Sequence, residues 1–182
     1  MGILEAQETP EEIAMQIRSE QSSATATSLL KERRFDDFKE FHASWISRFK
    51  AEGFQEALIL EELDLSNQDL VGVNFDHVNF FNSDFSGVDM TQVSCISTQF
   101  CRVSLKGANL TEVDLSGGRL QFVDFSQANL TNAILDTSTV FPPGTANLTD
   151  ALLVGTSMKR AAGKFIGISS DQLRSMGVIV HS

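Results

Sequence analysis

The chain has 182 residues, of which 42% are hydrophobic and 21% are charged. This length and composition supply enough apolar side chains for a folded core, and they exclude both a large multidomain enzyme and a wholly disordered chain. The formal net charge of -10 repels a phosphate backbone, which argues against direct binding of nucleic acid.

The start of the sequence, from Met1 to Pro10, has no basic segment followed by a long apolar run. No stretch of about 18 consecutive apolar residues occurs anywhere in the sequence. We therefore predict a cytoplasmic protein with neither a signal peptide nor a transmembrane segment, and with no membrane partner. The two cysteines, Cys95 and Cys101, lack the spacing of a CxxC pair, which fits a reducing compartment.

Residues 1–57 form a helical region in this prediction. Thr9-Pro10-Glu11-Glu12 indicates a helix start, because it combines proline at the first helical position with glutamate three residues after threonine. A second helix is predicted over about Thr25 to Ala51, where aromatic side chains recur at spacings of three and four. Gln21-Ser22-Ser23 is the expected link between the two helices. The aromatic stripe must be buried, and we expect it to pack on the domain that follows, with a groove on a partner as the alternative.

Residues 58–160 carry a five-residue repeat. From Leu65 to Val140 all 16 positions at this spacing are apolar, and 13 of them are Leu or Phe. From Phe75 onward the residue two before each centre is small or β-branched, and the residue directly before a centre is often Asp or Asn, which are typical of turns. Neither the helical period of about 3.6 residues nor the strand period of about 2 fits this spacing. The repeat therefore predicts a solenoid that turns a corner at each pentapeptide and holds the centres inside.

The repeat is interrupted once, near its end. Phe141-Pro142-Pro143-Gly144 cannot continue a ladder of backbone hydrogen bonds, because proline lacks the N–H donor, so a loop is predicted at 141–145. The pattern then resumes three residues late, at Leu148, Leu153 and Met158. In residues 161–182, Ser169-Ser170-Asp171-Gln172 predicts a short capped helix. The strand-like Val178-Ile179-Val180 follows, and pairing of this edge with a second copy makes a homodimer an alternative.

Two repeats carry a recognisable motif: Ala108-Asn109-Leu110-Thr111-Glu112 and Ala128-Asn129-Leu130-Thr131-Asn132. They resemble the A-(D/N)-L-x-x pattern of the pentapeptide-repeat family, and the resemblance covers about residues 58 to 160. It implies a mainly β fold, a right-handed quadrilateral β-helix in which four pentapeptides make one square coil. For this chain it implies a solenoid of about five coils, with an N-terminal α-helical cap and a short C-terminal cap helix. The family is mostly bacterial.

The sequence carries no recognisable catalytic motif. The three histidines and two cysteines have no metal-ligand spacing, and no P-loop or GxGxxG motif occurs. We therefore predict that the protein is not an enzyme and has no cofactor and no metal.

Taking every twentieth residue as a column on the square solenoid places apolar groups on one outward face. Outward positions elsewhere hold small polar residues, so this face is either covered by the N-terminal helices or is a partner or dimer site. Its predicted partner-binding residues are Phe81, Cys101, Arg102, Phe122 and Phe141. The predicted function is a non-catalytic protein–protein interaction or scaffold protein, with a protein partner of unknown identity.

Acidic residues concentrate in the first half of the repeat and suggest an alternative. The predicted acidic surface consists of Asp64, Asp69, Asp84 and Asp89. The quinolone-resistance members of the family resemble duplex DNA in shape and charge, so the resemblance implies a DNA-mimicking inhibitor of DNA gyrase or topoisomerase as the alternative function.

Overall fold

The repeat region folds into stacked coils that pair through short parallel strands. The structure is a computed structural model and describes residues 10–52, 57–135, 146–158 and 165–175. One side of the coils is a four-stranded parallel sheet in the order β1-β2-β3-β4. Its strands are β1 (Leu58–Glu61), β2 (Val78–Phe81), β3 (Gln99–Cys101) and β4 (Arg119–Gln121).

The strand register shows that one coil takes twenty residues. In the sheet Leu60 aligns with Phe80, and Phe80 aligns with Phe100. Parallel bridges with the same spacing lie on three further sides of the coil: Asp64 to Asp84, Asp69 to Asp89, and Asn74 to Ser94. Each coil therefore has four sides of five residues, which is the square coil that the resemblance to the pentapeptide-repeat family implies.

The register shifts by three residues beyond Leu135. Asp124 pairs with Asn147 and Asn129 pairs with Leu152, which are 23 residues apart instead of 20. The predicted three-residue offset is therefore confirmed. The predicted loop at 141–145 lies outside the described residues.

The repeat centres form the core. From Leu65 to Leu135 every centre is no more than 2% exposed. Aromatic rings stack from coil to coil, with 5.3 Å between the ring centroids of Phe80 and Phe100. Where the residue two before a centre is polar, its hydroxyl is satisfied by the backbone, as with Thr98 Oγ1, which donates to the Phe75 carbonyl at 2.6 Å. The predicted inward placement of the centres is confirmed.

Two helices precede the solenoid: α1 (Pro10–Lys31) and α2 (Phe35–Glu52). The predicted link at Gln21-Ser22-Ser23 is wrong, because these residues lie within α1 and the break falls at 32–34 instead. There Arg33 adopts φ of 58°, and the Arg34 N–H donates to the Leu29 carbonyl at 2.8 Å, which closes the helix. Ser23 tolerates its helical position because its Oγ accepts a hydrogen bond from the Ile59 N–H at 3.0 Å.

The aromatic stripe of α2 packs on the first coil, as expected. Phe38 is fully buried, and its ring centroid lies 5.5 Å from that of Phe75. His42 Nε2–H donates to the Asp76 carbonyl at 3.0 Å, and burial lowers the pKa of His42. The alternative in which a partner groove holds this stripe is therefore not needed.

The C-terminal part that the structure describes contains three short elements. Strand β5 (Ala146–Asn147) pairs in parallel with β6 (Phe165–Ile166). They are followed by α3 (Ser170–Ser175). Ser169 Oγ accepts a hydrogen bond from the Gln172 N–H at 3.2 Å, and Gln172 Oε1 accepts one from the Ser169 N–H at 3.0 Å. This reciprocal pair is a capping box and confirms the predicted capped helix.

Gly87 occupies a corner where a side chain is expected to be costly. Its φ is 66°, and an added Cβ would lie 2.5 Å from Asn67 Oδ1. Gly107 occupies the equivalent corner one coil later at φ of 67° and has nothing within 4 Å of an added Cβ. We expect Gly107→Ala and Gly87→Ala each to lower the free energy of unfolding by about 1 to 2 kcal/mol, because a residue with a Cβ is strained in this left-handed conformation and the exposed Asn67 side chain can turn away from the new methyl group. Urea unfolding of the two variants measures the loss, and an unchanged stability in both would contradict the strain at these corners.

Candidate interaction surface

The outward side of β1 to β4, together with the corner residue that follows each strand, is called the sheet face below. The strand pairing arranges its side chains in columns. The first column on the strands is Ile59, Asn79, Gln99 and Arg119. The second column on the strands is Glu61, Phe81, Cys101 and Gln121. The corner column is Glu62, Asn82, Arg102 and Phe122.

Phe122 is the most unusual residue of the sheet face. Its side chain is 43% exposed, and the Arg102 guanidinium carbon lies 5.8 Å from its ring centroid, within the range of a cation–π contact. Its φ is 55°, a conformation rarely adopted by a bulky side chain. The other three corners of this column have φ between 50° and 55°, so the coil geometry imposes this conformation. The coil thus fixes the direction in which the aromatic ring leaves the backbone.

The other predicted residues of this surface differ in how exposed they are. Phe81 is half-buried and Arg102 is exposed. Cys101 is only 9% exposed, because it is a small side chain in register between Phe81 and Gln121. Phe141 lies outside the described residues.

The N-terminal helices leave Phe122 uncovered. Helix α1 contacts the sheet through β1, at the opposite end from β4. A groove between α1 and β1 has a volume of about 380 Å³, and its lining includes Ser23, Thr27, Ile59 and Glu61. The helices therefore do not cover the β4 end of the sheet face, and the predicted arrangement in which they cover this face fails there.

The charges on the sheet face are separated. Glu61 and Glu62 are exposed at the β1 end, whereas Arg102 and Arg119 are exposed toward the β4 end. Within the described ranges, ion pairs occur only among residues 32–39. All four charged groups on the face are therefore available to a partner.

The predicted acidic surface has a structural role in the turns. Asp64 and Asp84 share one column, and Asp69 and Asp89 share the next. Each carboxylate Oδ1 accepts a hydrogen bond from the backbone N–H two residues later, at 2.8 to 3.0 Å. Hydrogen bonds from Ser66 and Thr91 lower the pKa of Asp64 and Asp89. The columns continue as Ser104 and Asn109.

The turn role predicts a difference between two substitutions of Asp89. The Asp89 carboxylate accepts hydrogen bonds from the Thr91 N–H at 2.9 Å and the Thr91 hydroxyl at 2.6 Å. We expect Asp89→Ala to lower the free energy of unfolding by about 1 to 2 kcal/mol, because the Thr91 donors lose their acceptor. Asp89→Asn keeps an amide oxygen there and is expected to stay within about 0.5 kcal/mol at pH 7.

A pH series adds a second readout. The folded state lowers the pKa of Asp89, so the stabilisation by its charged form is present above the ordinary Asp pKa of about 4 and is lost as the pH falls through the lower, folded-state pKa. Urea unfolding between about pH 7 and pH 2.5 should therefore show a smaller acid-induced loss in Asp89→Asn than in the unaltered protein. Equal stability of Asp89→Ala and Asp89→Asn at pH 7 would contradict the turn role.

The sequence did not point to Asp76, which joins three parts of the structure. Its carboxylate Oδ1 accepts hydrogen bonds from the Ser94 hydroxyl at 2.6 Å and the Ile96 N–H at 2.8 Å in the next coil. Its carbonyl accepts the hydrogen bond from His42 of α2. Arg119 was also absent from the predicted partner-binding residues, although the same twenty-residue columns place it beside Gln99 on the sheet face.

The described part of the chain has neither a recognisable metal site nor a helix suited to a membrane. Within it, no group of three or more His, Cys, Asp or Glu side chains is placed to hold a metal ion. Both cysteines are free, and burial raises the pKa of the Cys95 thiol. None of the described helices is long and apolar enough to cross a membrane.

Comparison with known proteins identifies the repeat. A family model described as pentapeptide repeats (8 copies) matches residues 59–94 and again residues 94–132. No curated protein matches the sequence.

Several solved structures of repeat proteins are similar at low identity. A pentapeptide repeat protein from the Arabidopsis thaliana thylakoid lumen is 23% identical, with 63% of this chain and 74% of that chain covered and a TM-score of 0.44. Rfr23, a pentapeptide repeat protein from the cyanobacterium Cyanothece, is 18% identical, with 66% of this chain and 95% of that chain covered and a TM-score of 0.29. QnrB1, a plasmid-mediated fluoroquinolone resistance protein, is 14% identical, with 58% of this chain and 71% of that chain covered and a TM-score of 0.30.

The match over residues 59–132 and the twenty-residue register of the parallel coils agree. This part of the chain consists of pentapeptide repeats.

Proposed function

We propose that this protein is a non-catalytic interaction protein, which binds a protein partner through the sheet face of a repeat rod of about five coils. The observation that carries this proposal is the exposed ring of Phe122, held beside the Arg102 guanidinium on an outward corner. Helices α1 and α2 act as the N-terminal cap, and residues 161–182 act as the C-terminal cap.

The chemistry of the sheet face favours binding to protein. Aromatic residues, phenylalanine among them, and arginine are enriched in protein interfaces, where a few buried side chains carry most of the binding energy. Fully burying a phenylalanine side chain contributes about 1.5 to 3 kcal/mol, and the 43% of Phe122 that is exposed contributes roughly half of this when it is covered. The rigid coil has already ordered the Phe122 backbone, so little conformational entropy remains to be lost on binding.

Site-specific photo-crosslinking tests this proposal. A photoreactive phenylalanine analogue is placed at Phe122, and a matched control carries it at Gln127, an exposed corner with φ of 62° on another side of the same coil. We expect a discrete protein adduct at position 122, formed in an extract of the source cells, that is absent at position 127. Excess unlabelled protein should compete for the adduct, and excess Phe122→Ser protein should not. The same adducts at both positions, or none at position 122, would contradict the proposal.

A DNA-mimicking inhibitor of gyrase remains the second candidate function. The observation that favours it is the parallel register of Asp64 with Asp84 and of Asp69 with Asp89, which places pairs of carboxylates on adjacent coils. Within one column, neighbouring carboxylates are therefore separated by the rise of one coil, about 4.8 Å. Duplex DNA carries one phosphate charge per about 1.7 Å of its axis when both strands are counted.

A supercoiling assay with purified gyrase tests this second candidate. The informative variant replaces all four aspartates by asparagine, because asparagine keeps the turn acceptor and removes only the charge. Inhibition that this variant loses would support mimicry. No inhibition by the unaltered protein would refute it.

A further inference from the structure

We infer that the contact between α2 and the first coil is sensitive to acid: α2 stays docked on the coil while His42 is neutral and undocks when His42 takes up a proton. Undocking releases the aromatic stripe of α2 and uncovers Phe75, which Phe38 contacts at the end of the solenoid core. The proposed function of the sheet face does not depend on this contact.

The His42 side chain lies inside the contact and is surrounded by apolar groups. It is only 2% exposed. Its imidazole lies between two aromatic rings of its own helix, with 5.7 Å to the ring centroid of Phe38 and 5.8 Å to that of Trp45. Phe38 in turn packs on Phe75 of the first coil. A proton taken up by His42 therefore places a charge in a site from which the helix and the coil exclude water.

The neutral form of His42 already makes the hydrogen bond to the coil. The Asp76 carbonyl accepts from Nε2–H at 3.0 Å. A carbonyl oxygen can only accept, so the neutral tautomer with its proton on Nε2 satisfies this bond. A second proton on the ring is not needed for docking, and it adds a buried charge.

The carboxylate of Asp76 does not neutralise that charge. Its Oδ1 accepts hydrogen bonds from the Ser94 hydroxyl and the Ile96 N–H, and its Oδ2 accepts one from the Asn74 side-chain amide at 3.2 Å. These bonds hold the carboxylate on the coils. His42 takes part in none of the ion pairs found in the described ranges, so the imidazolium would be buried without a counterion.

Asp76 and His77 are the two titratable groups that act on His42 from the elements packed against it. Burial is the largest effect and lowers the pKa of His42, the hydrogen bond and charge of Asp76 raise it in part, and His77 lowers it further. His77 stacks on Phe49 of α2 with 4.9 Å between ring centroids. The nearby cation of α2 itself, Lys39, is bonded to a carboxylate of its own helix.

The lowered pKa of His42 fixes the direction of the response to pH. An exposed histidine has a pKa of about 6.5, so undocked α2 binds the proton more readily than docked α2. Docking is therefore strongest above about pH 6.5, weakens as the pH falls toward the docked-state pKa, and changes no further below it. Attraction between an imidazolium and the flanking rings acts in the opposite direction, but both centroids lie near the limit of about 6 Å for such contacts.

Hydrogen exchange of the full chain, followed by mass spectrometry at about pH 7.5 and about pH 5.5, tests this inference. The carboxylates stay ionised in this window, because their ordinary pKa is about 4. After correction for the intrinsic exchange rate, we expect exchange in α2 (Phe35–Glu52) to rise about three- to tenfold relative to residues 78–135 of the coils. One titrating group changes an equilibrium by at most about tenfold per pH unit.

Two variants are matched controls for this measurement. His42→Gln keeps an amide N–H for the Asp76 carbonyl and cannot titrate, so we expect it to lose the acid-induced rise. His77→Gln removes the other histidine of the contact and should keep most of the rise. An NMR titration of the His42 ring in the unaltered protein gives a second readout that needs no variant to fold.

Three results would overturn the inference. The first is an equal rise in the unaltered protein and in His42→Gln, which would assign the pH response to another group. The second is an equal rise in α2 and in the coils, which would indicate global destabilisation without undocking. The third is an NMR pKa of His42 above about 6.5, which would show that the flanking rings stabilise the imidazolium.

Discussion

Phe100→Asp is expected to prevent the repeat region from folding. Phe100 is fully buried, its ring stacks on Phe80 with 5.3 Å between centroids, and it meets Phe85 edge-on at 6.1 Å. A carboxylate there has no cation or donor in reach, and burying it costs several kcal/mol beyond the lost packing of the ring. The total approaches the roughly 5 to 15 kcal/mol by which a whole domain is stable.

Circular dichroism and urea unfolding measure this effect, and Phe122→Asp is the matched control. The control makes the same chemical change at a ring that is 43% exposed, so we expect a folded protein whose stability changes by less than about 1 kcal/mol. A folded Phe100→Asp variant with a stability close to that of the control would refute the inward assignment of the repeat centres.

Phe38→Ala is expected to lower the free energy of unfolding by about 3 to 5 kcal/mol, the range for truncating a buried phenylalanine. Phe38 is fully buried at the contact between α2 and the first coil, with ring centroids 5.5 Å from Phe75 and 5.7 Å from His42. The cavity left by the ring opens at the end of the solenoid core, where the helices exclude water from the first coil.

Tryptophan fluorescence gives a local readout of this change. Trp45 is the single tryptophan, and its ring lies 5.8 Å from that of His42. In the unaltered protein we expect fluorescence and circular dichroism to report one urea transition, since helices and coils share a core. In Phe38→Ala the fluorescence transition should move to lower urea. Phe41→Ala, at a half-buried position of the same helix, is the control and should lose clearly less. Equal losses would show that Phe38 is not an anchor of the helical cap.

The interior of the repeat was predictable from sequence because its signal is local. Each pentapeptide places one large apolar residue between turn-forming neighbours, so the inward side can be recognised without knowing any distant contact. The same property located the three-residue offset, since the pattern resumes at Leu148 whatever the chain does before it. The sequence also predicted the capped helix that follows Ser169, because the cap and the residues it bonds lie within one helical turn.

The position of the helix break depended on tertiary contacts. Ser22 and Ser23 resemble a linker by residue type, yet they lie in α1, where Ser23 Oγ satisfies the Ile59 N–H at the edge of β1. That edge is 36 residues away in the chain, so the reason for the helical serine cannot be read from its neighbours. The Asp76 carboxylate bonds the next coil, and the Asp76 carbonyl bonds His42 of α2. The sequence did not predict these contacts either, because the partners are distant in the chain.

The sequence alone thus determined which residues of this protein are inside the coils and how the coils repeat, because burial there follows from a five-residue pattern. Only the tertiary structure decided what the outward residues do. It placed Cys101 in the shelter of Phe81 and Gln121, left Phe122 free beside Arg102, and separated acidic from basic residues along one sheet face. These properties arise because residues twenty apart in the chain become neighbours at sheet spacing, and no local pattern selects for them.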